Sequence, residues 1–294
     1  MAVQVILLGT KGGPQVSATR CGPGQVVRFR DRTVLIDAGQ GVPQQLLRAG
    51  IEPAEITDIL ITHHHSDHNV SLGAVLMAAW AHGRSEPISI RGPQPLARIV
   101  HHYLEANRYD IELRMADEGR IDLRELVHAD ELNGSEQDIM LGPLRLTATL
   151  VDHPPVYPAL GYRLDAEDGS SVVVSGDTAP SKNLIELADG ADVLIHEVIN
   201  LDLIAGTRAA STNADDGMLR DHLTRSHTDI HDIGRVASAA CVKTLVLSHK
   251  VPADRFDDSG WREPIESAFE GSLILGQDLM SISTDQPAIS TNPY

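Results

Sequence analysis

Four histidines and an aspartate crowd into six consecutive positions, His63, His64, His65, Asp67 and His68, in the stretch HHHSDH. Imidazole and carboxylate are donors that zinc and other divalent first-row metals accept. His63 and His65 are two apart, so an extended segment directs both to one side. Asp67 and His68 follow where the chain turns towards a helix, and they address a neighbouring position. One cluster can therefore serve two ions. Two ions roughly 3.5–4 Å apart can hold a hydroxide between them and clamp the transition state of a hydrolysis. The cluster does not complete such a site alone, so further donors must come from elsewhere in the chain.

Those donors recur in one kind of place. Apolar runs of β character end in a ligand-type residue: TVLID at Asp37, DILITH at His63, LTATLVDH at His153, SVVVSGD at Asp177, DVLIHE at His196 and Glu197, and KTLVLSH at His249. In layered α/β proteins the carboxyl ends of strands gather at one edge of the sheet, where sites form. A single residue of this kind reads as a hydrogen-bonded turn. Six or more at successive strand ends read as a metal site.

The elements that must position them follow from the same pattern. Strands are expected at Val3–Leu8, at VVRFR and TVLIDAG, before the histidine cluster, at ISIRG, at LRLTATLVDH, and in a hairpin turning at Asp168-Gly169. Further strands are DVLIHE and KTLVLSH, and SLILGQDLMSIS reads as a closing strand pair. Helical spacing marks Val42–Ala49, Val70–His82, Pro95–Tyr109, Ser181–Ala188 and Ile230–Ala240. Residues 202 to 226 read as polar and irregular, and Leu203 to Arg225 is a candidate lid. No linker-like stretch interrupts the alternation, so residues 1–294 are expected to form a single α/β domain.

Composition narrows the classes. With 42% hydrophobic but 3% aromatic residues, the core must be mostly aliphatic. A net charge of −17 repels polyanions at long range, which argues against nucleic acid as the substrate. Two cysteines, Cys21 and Cys241, are too few for a disulfide framework or thiolate metal sites. The opening MAVQVILLGT has no basic leader, and no apolar run is long enough to span a bilayer, so the reading is a cytoplasmic protein without a membrane segment.

HHHSDH resembles the His-x-His-x-Asp-His motif of the metallo-β-lactamase superfamily, and the order Asp37, cluster, His153, Asp177, His249 is similar to that family's five motifs. The resemblance implies a four-layer αββα sandwich with the metals at one edge of two sheets. It implies that His63, His65 and His153 bind one metal and that Asp67, His68 and His249 bind the second. Asp177 would bridge both, and Asp37 would orient a ligand from behind. The cofactors are expected to be two zinc ions, with manganese or iron(II) as alternatives.

LLGT, HPPVYPALGYRL, SGDT, LIHE and SHTDIHDIGRVASAACVKTLVLSH look like the ribonuclease Z and arylsulfatase-like branch. That branch implies a histidine proton donor, here His227, supported by Glu197, with His222 and His231 as rivals. Asp67, His227 and Glu197 are accordingly the candidate catalytic residues. Three features depart from the tRNA enzymes, one of them NVSLGAVL in place of their usual glycine-leucine-proline continuation. Those enzymes usually carry a long Gly/Pro/Lys-rich arm after the third-motif histidine, whereas only 23 residues separate His153 from Asp177 here. Ser66 stands where they often have glycine. The primary expectation is therefore a metal-dependent hydrolase of a small-molecule ester (sulfate ester, phosphodiester, carboxylic ester or lactone) using a metal-bridging hydroxide. The alternative is a ribonuclease Z-type tRNA 3′ endonuclease, and a β-lactam or other cyclic amide hydrolase stands behind it. The expected partner is a small molecule rather than nucleic acid, and relatives commonly form homodimers.

Overall fold

The computed structural model describes residues 2–205, 215–253, 259–285 and 290–291. Two sheets face each other. One runs in the order β15 (Ser290–Thr291), β14 (Met280–Ser283), β1 (Gln4–Gly9), β2 (Gly24–Phe29), β3 (Arg32–Ile36), β4 (Asp58–Leu60), β5 (Ile88–Pro93), β6 (Val127–Leu132). The other runs β13 (Ser272–Leu275), β12 (Thr244–Val251), β11 (Val193–Ile199), β10 (Ser171–Val174), β9 (Leu160–Ala166), β8 (Leu144–Leu150), β7 (Ile139–Leu141). The helices are α1 (Val42–Arg48), α2 (Ser66–Asn69), α3 (Leu72–Ala81), α4 (Leu96–Ala106), α5 (Arg108–Glu118), α6 (Leu123–Leu126), α7 (Lys182–Leu187), α8 (Leu201–Ala205), α9 (Asp216–Ser226), α10 (Ile230–Ala239) and α11 (Ser259–Glu266).

Side chains on a strand alternate between faces, and here both faces are apolar. Val5, Leu7, Val34, Ile36, Val172, Val174, Ile195 and Val246 point into the space between the sheets. Their neighbours Ile6, Leu8 and Leu35 point outward against Val42, Leu46, Leu72, Leu76 and Val100 of α1, α3 and α4. On the other sheet Val173, Leu194 and Leu245 pack against Leu184, Ile233 and Ile265 of α7, α10 and α11. Each such side chain contributes roughly 1.5–3 kcal/mol when fully buried, so the sequence can only be satisfied by helix, sheet, sheet and helix layers. Tyr162 joins Phe29 as a large ring in the inner layer, and its hydroxyl donates to the Ile61 carbonyl at 2.7 Å, tying the second sheet to the strand end that carries the histidine cluster.

Strand direction gathers the donors. β3, β4 and β5 are parallel. β10, β11 and β12 are parallel, and β9 is antiparallel to both β8 and β10. The carboxyl ends of β3, β4, β8, β10, β11 and β12 thus share an edge.

Two local expectations differ from the structure. The closing strands do not pair with each other: β13 lies parallel to β12, whereas β14 lies antiparallel to β1 in the opposite sheet. Two apolar runs with a short gap mimic a hairpin, but each here completes a different edge. The stretch expected to be irregular contains α8 and α9. α9 is largely exposed and has no apolar stripe to betray it, yet its N-terminus is capped by Asp215, which accepts the Met218 N–H at 2.9 Å. Residues 206–214 of the candidate lid lie outside the described residues. No helix among the described residues is long and apolar enough to cross a membrane.

Candidate metal centre

Each donor is delivered by a specific break in regular structure. After β4 the chain runs extended to His65 (φ −64°, ψ 146°), and α2 then turns Asp67 and His68 inward, both buried. Asp177 follows β10 through Gly176 (φ 61°), where an added Cβ would lie 2.7 Å from the Leu160 carbonyl oxygen. His249 sits inside β12 at a bulge: Glu197 pairs with Ser248 but Val198 pairs with Lys250. The extra residue adopts φ 43°, a left-handed conformation that re-aims its ring out of the ladder. Asp37, at the end of β3, is likewise left-handed at φ 61°. Such strain persists only where its surroundings enforce it.

The structure brings His63, His65, Asp67, His68, His153, Asp177 and His249 together. His65 Nδ1 lies 3.1 Å from both His63 Nε2 and His153 Nε2. His63 Nε2 is 3.9 Å from Asp177 Oδ2. On the other side His249 Nε2 is 3.3 Å from Asp67 Oδ2 and from Asp177 Oδ2, and His68 Nε2 is 3.3 Å from Asp177 Oδ1. Donors about 2.1 Å from one tetrahedral ion are about 3.4 Å from each other. The two groups, His63/His65/His153/Asp177 and Asp67/His68/His249, each keep their donor atoms within 4.8 Å.

Hydrogen-bond accounting shows why these residues fit cations. Thr62 Oγ1 donates to Asp37 Oδ2 at 2.9 Å, so its lone pair accepts from His63 Nδ1 at 3.1 Å. His68 Nδ1 donates to Asp37 Oδ2 at 2.8 Å, and His153 Nδ1 donates to the Ser226 carbonyl at 2.7 Å. In the neutral rings the three Nε2 atoms therefore carry lone pairs. A single proton on His65 Nδ1 could serve His63 or His153 but not both. His68 Nε2 and Asp177 Oδ1 are buried without a hydrogen-bond partner although they face each other. Cations between these atoms satisfy all of them.

The electrostatics divide the same way. Burial keeps His63 and His65 below the ordinary histidine range and lowers His153 to about 4, so these rings stay neutral. Burial also opposes charge on His68, but Asp177, Asp37 and Asp67 overcome it and raise that ring well above its usual value. Burial works against the charged forms of Asp67 and Asp177, yet His68 and His249 hold both carboxyls below the usual range. One half presents neutral nitrogens, and in the other the His68 ring and the surrounding carboxylates hold each other in their charged forms.

His227 stands at the rim. It follows α9 in an extended conformation (φ −131°, ψ 160°), and its Nδ1 donates to Glu197 Oε1 at 3.0 Å. The same oxygen accepts the Thr178 and Thr228 N–H groups at 3.0 and 3.2 Å. Burial disfavours the charged ring, but Glu197 and then Asp177 raise its pKa to about 9. His227 Nδ1 is also 4.0 Å from Asp177 Oδ2, and Asp177, His227 and His249 form a third possible donor group. His231 is exposed and pairs with Asp202 at 2.9 Å, away from the site. His222 is half-buried, with its ring 6.2 Å from those of His65 and His153 and 5.9 Å from His227. Burial, then His227 and His65, hold it towards its neutral form.

The remaining candidates lie apart. His64 turns towards the Pro93 carbonyl (2.7 Å) and Asn69 (3.1 Å). His196 is fully buried within β11, with Nδ1 donating to the Glu197 carbonyl at 2.6 Å. His101 and His102 are exposed on α4. Tyr157 and Met218 are exposed, and Leu219 is half-buried. Sequence reasoning missed Thr62, Ser226 and Tyr162, whose only signal was adjacency to a donor or a strand.

The αββα layers and the gathered His/Asp donors define a metal-dependent hydrolase of the metallo-beta-lactamase fold. Residues 32–250 match the beta-lactamase superfamily domain. The chain is 35% identical over 291 residues to a Ribonuclease Z of Mycobacterium avium (strain 104), covering 97% of this chain and 100% of that protein. It is 33% identical over 301 residues to a Ribonuclease Z of Mycolicibacterium gilvum (strain PYR-GCK), covering 99% of each. Among solved structures, the metallo-beta-lactamase fold protein YhfI from Bacillus subtilis aligns at TM-score 0.70 with 20% identity, over 96% of this chain and 100% of that one. The short form of human tRNase Z aligns at TM-score 0.69 with 21% identity, over 96% and 99%. These two likenesses concern the fold. The chain belongs to the beta-lactamase superfamily, in its ribonuclease Z branch.

Proposed function

We propose that the chain is a ribonuclease Z-type endonuclease that cleaves precursor tRNA at its 3′ side. The observation that carries this reading is end-to-end likeness, at 35% and 33% identity, to relatives named Ribonuclease Z. It reverses the order of the two readings drawn from sequence. The small-ester reading rested on the net charge of −17 and on the missing arm between His153 and Asp177. That interval holds little beyond β9, the Asp168-Gly169 turn and β10. The relative from Mycobacterium avium is covered over 100% of its length by the alignment, which leaves little room for a long arm there either. Net charge is also a weak guide to one site, because charges are screened beyond about 8 Å at physiological salt.

In this reading His63, His65 and His153 would hold one divalent ion and Asp67, His68 and His249 a second, with Asp177 between them. Zinc suits this donor set, and manganese or iron(II) accept the same donors. Bound there, the ions supply Lewis acidity at the phosphodiester and a water acidified towards neutrality. The chain's own residues do the rest. Asp37 fixes the His68 ring through Nδ1, and the Ser226 carbonyl fixes His153 in the same way. Glu197 occupies Nδ1 of His227 and leaves Nε2 as the atom that gives a proton to the leaving oxygen. General acid help of this kind is worth ~10²–10⁴ in rate.

The test offers the purified, metal-analysed enzyme a precursor tRNA with a 3′ trailer, beside bis-nitrophenyl phosphate, nitrophenyl sulfate and nitrophenyl acetate. Metal-dependent release of the trailer is expected. Turnover of a sulfate or carboxylic ester without tRNA cleavage would restore the small-ester reading.

A further inference from the structure

Resting on the tRNA reading, we infer that His222 accepts a hydrogen bond from a ribose 2′-hydroxyl of the RNA next to the scissile phosphate, and so senses RNA at the rim of the metal centre.

The hydrogen-bond network assigns the tautomer. His222 and Ser226 are one turn apart on α9, and His222 Nδ1 lies 3.2 Å from Ser226 Oγ. Ser226 Oγ also bonds the Pro154 carbonyl oxygen, which can only accept. The hydroxyl has one proton, and that proton goes to Pro154. Nδ1 of His222 must therefore be the donor to Ser226 Oγ, so the neutral ring carries its lone pair on Nε2. No described residue gives that nitrogen a hydrogen-bond partner.

Its position makes the lone pair useful. Ser226 holds two rings at once: its carbonyl takes His153 Nδ1, and its hydroxyl takes His222 Nδ1. Ser226 thus ties His222 to a residue of the donor cluster. The His222 ring lies about 6 Å from His65, His153 and His227, yet it belongs to none of the groups whose donor atoms converge. That places it beside the reacting phosphate, at the distance of a neighbouring sugar, rather than on it. A bare lone pair repels a phosphate oxygen and needs a donor. The sequence-independent donor nearest each RNA phosphate is the 2′-hydroxyl, the group by which proteins tell RNA from DNA.

The experiment is a two-by-two comparison on precursor tRNA, with 2′-deoxyribose placed singly at the nucleotides flanking the cleavage site. For one flanking position the wild type is expected to lose about tenfold in kcat/KM on deoxy substitution, the size of one lost hydrogen bond. His222→Phe is expected to lose about the same on the all-ribose substrate and nothing further on the deoxy substrate, with bound metal unchanged. His222→Gln, whose amide oxygen also accepts, should recover most of the rate and guards against a folding defect in the first variant. Additive losses, full activity in His222→Phe, or loss of one metal equivalent from either variant would overturn the inference while trailer cleavage by the wild type stands. Absence of any wild-type trailer cleavage would instead overturn the parent reading, and this one with it.

Discussion

Asp37 accepts the Nδ1–H of His68 at 2.8 Å from a backbone held in the left-handed region at φ 61°. The same carboxylate takes the Thr62 N–H at 2.8 Å and the Thr62 hydroxyl at 2.9 Å. One strained residue at the end of β3 thereby sets both the start of the histidine segment and the ring at its end. Asparagine tolerates left-handed backbone, so Asp37→Asn isolates the acceptor from the strain. It should weaken metal binding about 10–100-fold with the fold retained. A competition titration against a chromophoric chelator reads this directly, and an unchanged affinity would show that Asp37 does not orient His68.

The His227–Glu197 pair predicts a pH profile. In the proposed reaction the protonated His227 ring would be the donor, and against the cost of burial the Glu197 carboxylate beside it raises its pKa to about 9. Activity should therefore hold at neutral pH and fall on the alkaline side. Bound divalent ions draw the value down, which puts the limb at or below pH 9. Glu197→Gln removes the main charge that raises it, so the limb should move to lower pH. In the metal-free protein the pair stabilises the fold fully below about pH 6.5 and loses that contribution as the pH rises through about 9. A kcat/KM profile whose alkaline limb is the same in wild type and Glu197→Gln would remove His227 from the donor role.

Stripping the ions should cost stability as well as turnover. The facing lone pairs and the carboxylates around His68 lose their compensation. Each ion present at about 100 times its Kd contributes about 2.7 kcal/mol, which for a chain of this size is roughly 4 °C in Tm. Calorimetry before and after chelation checks it. Equal melting temperatures would mean that the cluster does not bind metal in the folded state.

The loop before β2 presses on the site at one glycine. A Cβ at Gly12 would lie 2.7 Å from His249 Nδ1 and 2.5 Å from Val251 Cγ2. Gly12→Ala must displace the His249 ring or the loop. We expect kcat to fall at least about tenfold with little change in Tm, since a misplacement of about 1 Å can cost 10²-fold. Wild-type kcat in this variant would show that the loop yields instead.

Tyr162→Phe tests the tie between the sheets. It removes one hydroxyl and leaves the buried Ile61 carbonyl without its 2.7 Å donor, a loss of about 1–3 kcal/mol. Urea unfolding with an unchanged m-value should record it. A shift below about 0.5 kcal/mol would mean that another group satisfies that carbonyl.

Much of this site could be read along the chain because donor type and strand position are local properties. Asp37, His63, His153, Asp177 and His249 each close an apolar run, and a continuous apolar run of strand length is visible without coordinates. Asp37 and Thr62 illustrate the limit. Thr62 is an ordinary polar residue until Asp37, 25 positions earlier, is folded against it. Ser226 acquires its role only from His153, 73 positions away.

The residues themselves determined the buried strands and the chemistry they carry: strands with two apolar faces demand two sheets between helices, and imidazoles and carboxylates at their ends are donors suited to metal ions. Tertiary structure alone decided which of His222, His227 and His231 faces that edge beside Glu197. Helix α9 stops at Ser226, so the chain turns extended and presents His227 to Glu197, whereas α10 carries His231 out to Asp202. It also sent β13 and β14 to opposite sheets and bent β12 at His249 so that its ring reaches Asp67 and Asp177. The reason is physical: period and propensity act over a few residues, while the aim of a side chain depends on bulges, helix ends and hydrogen bonds that exist only once distant segments have packed.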